Sequence, residues 1–157
     1  MNLIPLTHAH IDRLLHIEQA SFPTPWNSDT MTWALSEMDI HGIGLSAGND
    51  LIGYAFLRHS IIDGIPFEQA DLLNIAVDPA YRGRGYGKIL LSHIMNLAWT
   101  AGTESIFLEV RTSNTNAQKL YSAMGFTPIG VRKDYYCNLH PDTSREDAVV
   151  MMASAIV

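Results

Sequence analysis

Directly after Asn74-Ile75-Ala76-Val77-Asp78-Pro79-Ala80-Tyr81, an apolar run closed by a proline turn, the segment Arg82-Gly83-Arg84-Gly85-Tyr86-Gly87-Lys88 interleaves glycines with cationic side chains. Such a segment can hold an anion. Glycine permits positive φ and close approach of backbone to a ligand, and all three glycines, Gly83, Gly85 and Gly87, are expected to use that freedom. Successive N–H groups and the free N-terminus of a following helix concentrate positive potential on a phosphate, and Arg82, Arg84 and Lys88 add formal charge. The spacing excludes two familiar phosphate loops. A dinucleotide fingerprint requires a third glycine where Lys88 stands, and a P-loop requires Ser or Thr where Ile89 stands. Taken alone, the segment also fits an ordinary strand-to-helix turn.

The elements that would carry this loop follow from hydrophobic periodicity. Asp71 to Val77 reads as the strand feeding it, and Tyr86 to Thr100 as the helix leaving it, with Leu90, Leu91, Ile94 and Ala98 inward and Gly102 as the stop. Ser105 to Arg111 alternates as a strand, Ile106, Leu108 and Val110 on one face and Phe107, Glu109 and Arg111 on the other. A helix from Asn114 to Met124 follows, with Gly125 at its C′ position, and then two closing strands, Phe126 to Arg132 and Asp147 to Ala155. Upstream, Leu3 to Leu6 reads as a short strand. His8 to Ala20 reads as a helix whose Ile11, Leu14, Leu15, Glu18 and Phe22 recur at helical spacing, which puts Glu18 on the apolar stripe. Pro23 and Pro25 separate it from a helix over Ser28 to Glu37, and Gly42 to Ala47 and Leu51 to His59 flank a turn at Gly48-Asn49-Asp50. Residues 61 to 69 read as a loop. Strands alternating with helices, several joined by short hairpins, predict an α/β (α+β) chain with a mixed sheet and helices on both faces. The central parallel pair is expected between 71–77 and 105–111, across a right-handed helical crossover.

The chain of 157 residues is long enough for one domain, 1–157, with its own core, and no repeat, linker or low-complexity segment divides it. Hydrophobic residues at 47% and charged residues at 17% are globular values, and no apolar run approaches a membrane span. The N-terminus lacks a secretion-signal layout and Cys137 is the single cysteine, which together point to a reducing, cytoplasmic location. With a net charge of −6 and basic residues gathered mainly at the loop, direct nucleic-acid binding is disfavoured, whereas a basic peptide partner suits the charge. His8 and His10 stand at a helix start with no third ligand nearby, and no metal is expected. Cys137 has no neighbour arranged to make it a thiolate.

Arg-x-x-Gly-x-Gly, read as Arg82, Gly85 and Gly87, resembles the phosphate loop of the GNAT acetyltransferases. The resemblance continues through Phe107-Leu108-Glu109-Val110-Arg111, Ser113-Asn114, Leu120-Tyr121, Gly125-Phe126, Lys133-Asp134-Tyr135-Tyr136 and Glu146-Asp147-Ala148-Val149-Val150-Met151. It is fullest from about residue 70 onward and thins upstream to Glu18, Phe22, Pro25 and Trp26, and it looks most like the branch acting on the N-terminal alanine of a small-subunit ribosomal protein. The resemblance implies the GNAT fold, a mixed, mostly antiparallel sheet. It also implies acetyl-CoA as cosubstrate, with its pyrophosphate on Arg82 to Lys88, Tyr86 included, and its pantetheine amides paired to the backbone of Ile75, Ala76 and Val77. One N–H of that segment would polarise the thioester.

Acetyl transfer to an amine needs a neutral amine, a donor for the oxyanion and a proton for the departing thiolate. An α-amine with a pKa near 8 matches a carboxylate base better than a lysine amine above 10. Glu109 fits the proton acceptor, directly or through water; the alternative is a surface carboxylate or a partner of Arg111. Tyr121, seven residues and about 10 Å along a helix from Asn114, fits the proton donor, with Asn114 as an amide partner of the cosubstrate. Tyr121 also fits an ordinary core position, on a stripe with Ala117, Leu120 and Met124. Glu18, Trp26, Tyr135 and Tyr136 are expected around the acceptor, although one of the adjacent tyrosines must face away in an extended segment. The acceptor is expected to be a protein N-terminus; another N-terminus, a lysine, a small amine, or a coenzyme A sensing module without catalysis are the alternatives.

Overall fold

The computed structural model describes residues 1–62, 65–138 and 144–155. The strands are β1 (Asn2–Pro5), β2 (Ile40–Ala47), β3 (Asp50–Ile62), β4 (Ile65–Val77), β5 (Ser105–Arg111), β6 (Thr127–Cys137) and β7 (Arg145–Ser154). The helices are α1 (Ile11–Ser21), α2 (Ser28–Ser36), α3 (Tyr86–Thr100) and α4 (Thr115–Ala123). All strands join one sheet in the order β1-β2-β3-β4-β5-β7-β6. Every neighbouring pair among the described residues is antiparallel except β4 and β5.

Alternation along β3 sends its side chains to two different layers. Tyr54 and Phe56 pack with Leu14, Ile17, Met31 and Ala34 of α1 and α2. Ala55 and Leu57 pack with Leu90, Leu91, Ile94 and Ala98 of α3, and Tyr121 and Phe126 extend that second layer. Each of these large aliphatic side chains, once buried, stabilises the fold by about 1.5–3 kcal/mol. Local signals set the helix ends. Asn27 Oδ1 accepts from the Thr30 N–H at 2.9 Å and starts α2, and Gly125 takes φ 92° behind α4, the left-handed position that glycine fills without a Cβ clash. The first helix departs from expectation. His8–His10 forms a 3₁₀ turn, with the Thr7 N–H donating to His10 Nδ1 at 3.0 Å, and the α-helix begins only at Ile11.

Residues 61 to 69 are not a loop. Ile61 and Ile62 pair with Pro66 and Ile65, so the β3–β4 hairpin runs on through most of this segment; residues 63 and 64 lie outside the described residues. β-branched isoleucines favour a pleated strand and outweigh the local turn signal of the proline. The extension lies at the amino end of β4, away from the end that forms the cleft described below. Strand β6 likewise runs beyond the expected Arg132 to Cys137, through an irregularity between Arg132 and Tyr136 at which Asp134 takes φ 51°.

The parallel pairing is shorter than expected. It covers Gln69↔Ser105, Ala70↔Ile106 and Asp71↔Phe107 and then stops. Just beyond it, Phe56 pairs with Asn74 while Leu57 pairs with Leu72, leaving Leu73 as an extra residue. A bulge of this kind bends its strand and strengthens the local twist, and β4 parts from β5 here. Ligands of open sheets bind beyond the carboxyl ends of parallel strands, and in this chain the gap between those ends is the cleft.

Candidate active site

The cleft has a volume of about 140 Å³ and is walled by Leu72 to Ile75 of β4 and Leu108 to Arg111 of β5. Phe22, Thr24 and Trp26, between α1 and α2, close one side, and Tyr136 of β6 closes the other; Glu18, Asn114 and Tyr121 complete the lining. The volume lies well below the roughly 300–1,000 Å³ typical of pockets for drug-sized ligands. The structure therefore brings Glu18, Trp26, Ile75, Glu109, Asn114, Tyr121 and Tyr136 to one place. Tyr135 is not among the lining residues. It is 43% exposed, with its ring edge-on to that of Tyr136 at 4.9 Å.

Glu109 projects from the middle of β5 beside buried Leu108 and Val110, as strand alternation requires. Its carboxylate pairs with Arg132 at 3.2 Å, which reaches it from β6 across β7, and not with Arg111, which bonds to Glu146. The Tyr136 hydroxyl donates to the Glu109 backbone carbonyl at 3.0 Å. Burial, followed by the neighbouring Tyr135 and Glu109, pushes the Tyr136 phenol up to about 12.

Tyr121 is 7% exposed and its ring packs edge-on to Phe126 at 5.8 Å, so the expected core role holds for the ring. Its hydroxyl has no hydrogen-bond partner among the described residues, and it lines the cleft. Burial, with a smaller contribution from Tyr136, pushes this phenol well above its ordinary value, so it is held as a neutral donor. Asn114 is partly committed elsewhere. Its Oδ1 accepts from the Ala117 N–H at 3.1 Å as the cap of α4, an arrangement that leaves the Nδ2 amide, a donor, for a ligand.

Glu18 is 1% exposed. Oε1 accepts from the Trp26 N–H at 2.9 Å, and Oε2 accepts from Asn74 Nδ2 at 3.0 Å and from the Tyr54 hydroxyl. Burial raises its carboxyl above the usual range against the opposing bonds from Trp26 and Asn74. With its oxygens so engaged, Glu18 braces the corner between α1 and α2 and is not an open contact for an acceptor. The apolar stripe on which it lies predicts burial; the partners come from β3, β4 and the proline corner, and no local pattern announces them.

The glycine loop lies at the carboxyl end of β4. Gly83 and Gly85 take φ 74° and 80°, but Gly87 does not. It lies in the first turn of α3, where a Cβ would come within 3.3 Å of Leu120 Cδ2, the flexible end of that side chain. The first intrahelical bond runs from the Ile89 N–H to the Gly85 carbonyl. The N–H groups of Tyr86, Gly87 and Lys88 precede it and are free to face an anion. Arg82, although exposed, is bonded within the protein, donating from Nε to the Val77 carbonyl and from Nη2 to Ser21 Oγ, each at 2.8 Å. Arg84 lies over the Tyr81 ring at 5.7 Å, and Tyr86 packs against the core. Gly85 and Lys88 border a second, shallower groove with Leu3, Ile89, Ser92, His93 and Asn96.

Ile75, Ala76 and Val77 pair with Ala55, Tyr54 and Gly53 of β3, while their other edge faces the gap left by β5. On that edge the Val77 carbonyl already accepts from Arg82 Nε, and the other backbone groups facing the gap are available to an extended ligand carrying amides. The residue whose importance the sequence pattern understated is Arg111. It makes four hydrogen bonds, to Asn138, Glu146, Thr24 and the Cys137 carbonyl, and its guanidinium lies 4.5 Å over the Tyr136 ring. Its place on the same strand face as Glu109, two residues on, was the available signal. Among the described residues no cluster of three or more His, Cys, Asp or Glu side chains is arranged to hold a metal ion.

Comparison with known proteins places the chain in a family. The profile of the Acetyltransferase (GNAT) family matches residues 11–126. The [Ribosomal protein bS18]-alanine N-acetyltransferase of Haemophilus ducreyi is 39% identical over 142 residues, covering 89% of this chain and 90% of that protein. The protein of the same name from Haemophilus influenzae is 36% identical over 140 residues, covering 89% of each. The crystal structure of the ribosomal-protein-S18-alanine N-acetyltransferase from Escherichia coli superposes with a TM-score of 0.86 at 28% identity, covering 99% of this chain and 94% of that one. A strand pair parted by a bulge, a glycine-bearing helix start beside it and a family profile spanning most of the chain lead to one conclusion: the chain belongs to the GNAT acetyltransferase family.

Proposed function

We propose that this chain transfers the acetyl group of acetyl-CoA to the α-amine of a protein N-terminus, and that its acceptor is the N-terminal alanine of a small-subunit ribosomal protein. The observation that carries the reading is the convergence of Glu109, Tyr121 and Tyr136 on one small cleft, beside the free edge of Ile75 to Val77. The names of the relatives, at 36–39% identity, supply the acceptor.

The residues present fit acetyl-CoA by the chemistry of their donors. The N–H groups at the start of α3, with Lys88 beside them, suit a pyrophosphate, and the open edge of β4 suits the amides of a pantetheine arm, with Asn114 Nδ2 as a further donor. Acetyl-CoA supplies an acyl group activated as a thioester, whose C–S bond breaks as the C–N bond to the amine forms. Glu109, on the cleft wall, takes the proton of the incoming ammonium, directly or through a water. An N–H of the 75–77 segment would donate to the thioester carbonyl. Tyr121 donates a hydrogen bond toward the leaving sulfur, and because its phenol is held neutral, its proton moves only as negative charge develops on sulfur. Tyr136 fixes the backbone of Glu109, and Trp26 forms the opposite wall. Among the described residues no helix is long and apolar enough to cross a membrane, and a ribosomal acceptor would place the enzyme in the cytoplasm.

The test is coenzyme A release from acetyl-CoA with short peptides beginning with Ala, Ser, Met or acetyl-blocked Ala, all carrying internal lysines. Activity on free Ala that disappears on blocking supports the reading. Turnover should rise about tenfold per pH unit and level off near pH 8, where an α-amine loses its proton. Equal activity on the blocked peptide, or a rise that continues toward pH 10, would move the acceptor to lysine.

A further inference from the structure

Thr24 and Arg111 face each other across the mouth of the cleft, 87 positions apart in the chain, and the Arg111 Nη2 donates to Thr24 Oγ1 at 3.1 Å. We propose that this bridge sets the width of the acceptor mouth, and thereby limits the size of the first acceptor residue that can reach Glu109. The proposal rests on the reading of the cleft as the site for a protein N-terminus and names what restricts that site.

The remaining bonds of Arg111 explain why one more can matter. Nη1 donates to Asn138 Oδ1 at 3.1 Å and to Glu146 Oε2 at 3.0 Å, and Nη2 also donates to the Cys137 carbonyl at 2.9 Å. Glu146 in turn accepts from the Ser113 N–H at 2.7 Å and from the Thr112 hydroxyl at 3.2 Å. These bonds fasten the guanidinium to the β5, β6 and β7 side of the cleft, and its side chain is only 11% exposed. With its Nη donors committed, Arg111 is a positioning residue and not a contact for the acceptor.

Across the mouth, the 22–27 corner is held from behind, where Glu18 accepts from the Trp26 N–H. Among the described residues, the bond from Arg111 to Thr24 is the only hydrogen bond joining this corner to the β5–β7 side. One wall is therefore rigid, the other is anchored at its back, and one exposed bond determines how far apart they stand. In a cleft of about 140 Å³, a displacement of Thr24 decides whether a branched first residue fits beside the thioester.

The test uses the full chain and the variants Thr24→Val, which keeps the shape and loses the hydroxyl, and Thr24→Ser, which keeps the hydroxyl. The ratio of kcat/KM for a peptide beginning with Ala to that for one beginning with Leu is measured for each, with amide hydrogen exchange of residues 22–27. Loss of one hydrogen bond predicts that the ratio falls about three- to tenfold in Thr24→Val, through a gain on the Leu peptide, with faster exchange across 22–27, and that Thr24→Ser restores both. An unchanged ratio, or a loss on both peptides alike, overturns the proposal even where the wild type acetylates the Ala peptide well. Failure of the wild type on every peptide would instead overturn the acceptor reading, and the size limit with it; unchanged exchange in Thr24→Val would show separately that the bridge does not hold the corner.

Discussion

The two sides of the cleft are built by different means. The side proposed for the cosubstrate is backbone, the loop from Asp78 to Lys88 and the free edge of β4, and it lies almost entirely within one run of about fifteen residues. The side proposed for the acceptor is made of side chains from α1, the 22–27 corner, β5, β6 and β7, joined by hydrogen bonds between residues up to 87 apart. A site made of N–H groups tolerates many side chains but little change in φ. A site made of side-chain bonds tolerates backbone variation but not the loss of a partner.

The sharpest way to break this comparison is at the centre of the acceptor side. Glu109→Gln should lower kcat/KM for the Ala peptide by about 10²–10⁴-fold, the range for a lost general base, while acetyl-CoA affinity, measured by calorimetry, is retained. Loss of acetyl-CoA affinity in that variant would show that the two sides are not separable. Tyr121→Phe should cost about 10²-fold in kcat, as removal of one donor to developing charge does, with KM for both substrates little changed; an unaltered kcat would return Tyr121 to a purely core role.

On the cosubstrate side, the glycines sharpen the point. Gly85→Ala forces an L-residue to φ 80°, a strain of about 1–2 kcal/mol, and acetyl-CoA should bind about tenfold more weakly while the preference for Ala over Leu peptides stays. Gly87→Ala should be far milder, within about 0.5 kcal/mol, because its backbone is already helical and its close neighbour is the flexible end of Leu120. Equal losses in the two variants would mean that backbone conformation is not what the loop needs.

The smallest expected effect concerns acid. Burial alone would raise the Glu146 carboxyl, but the bonds from Ser113, Arg111 and Thr112 outweigh it and hold the group at about 2, against an ordinary 4.5. A depressed folded-state value means stability that is fully present above pH 4.5 and lost as pH falls toward 2. Glu146→Gln should therefore be less stable than wild type at pH 7, and the gap should narrow between pH 4.5 and 2 in denaturant midpoints. A gap that stays constant with pH would show that Glu146 acts through packing and not through its charge.

The glycine loop was readable because its chemistry is local: Asp78 caps a turn, Gly83 and Gly85 take the left-handed conformations that their type allows, and α3 starts where periodicity places it. Gly87, by contrast, is helical where positive φ is expected from its spacing, and Arg82 bonds to the Val77 carbonyl and to Ser21, partners that spacing does not announce. For Glu109, strand alternation predicted a side chain beside an apolar face but not its partner, since Arg132 reaches it from β6 across the intervening β7. The loop expected over 61–69 failed for a related reason: proline and glycine mark turns locally, yet pairing with β3 carries the strand through Pro66.

By itself, the sequence determined most of the strands and helices in their order, the inward face of α3, the glycine-bearing turn into that helix and the family. These rest on periods of two and 3.6 residues and on glycine conformations, which a few neighbouring positions specify. Only the tertiary structure decided that β4 leaves β5 after Asp71, that Glu18 is a buried brace, and that Arg111 joins Thr24 to Glu146 across the cleft. Each of these depends on which distant groups are brought within hydrogen-bonding distance, about 3 Å, and that is settled by the register of strands and the packing of helices, not by any local run of residues.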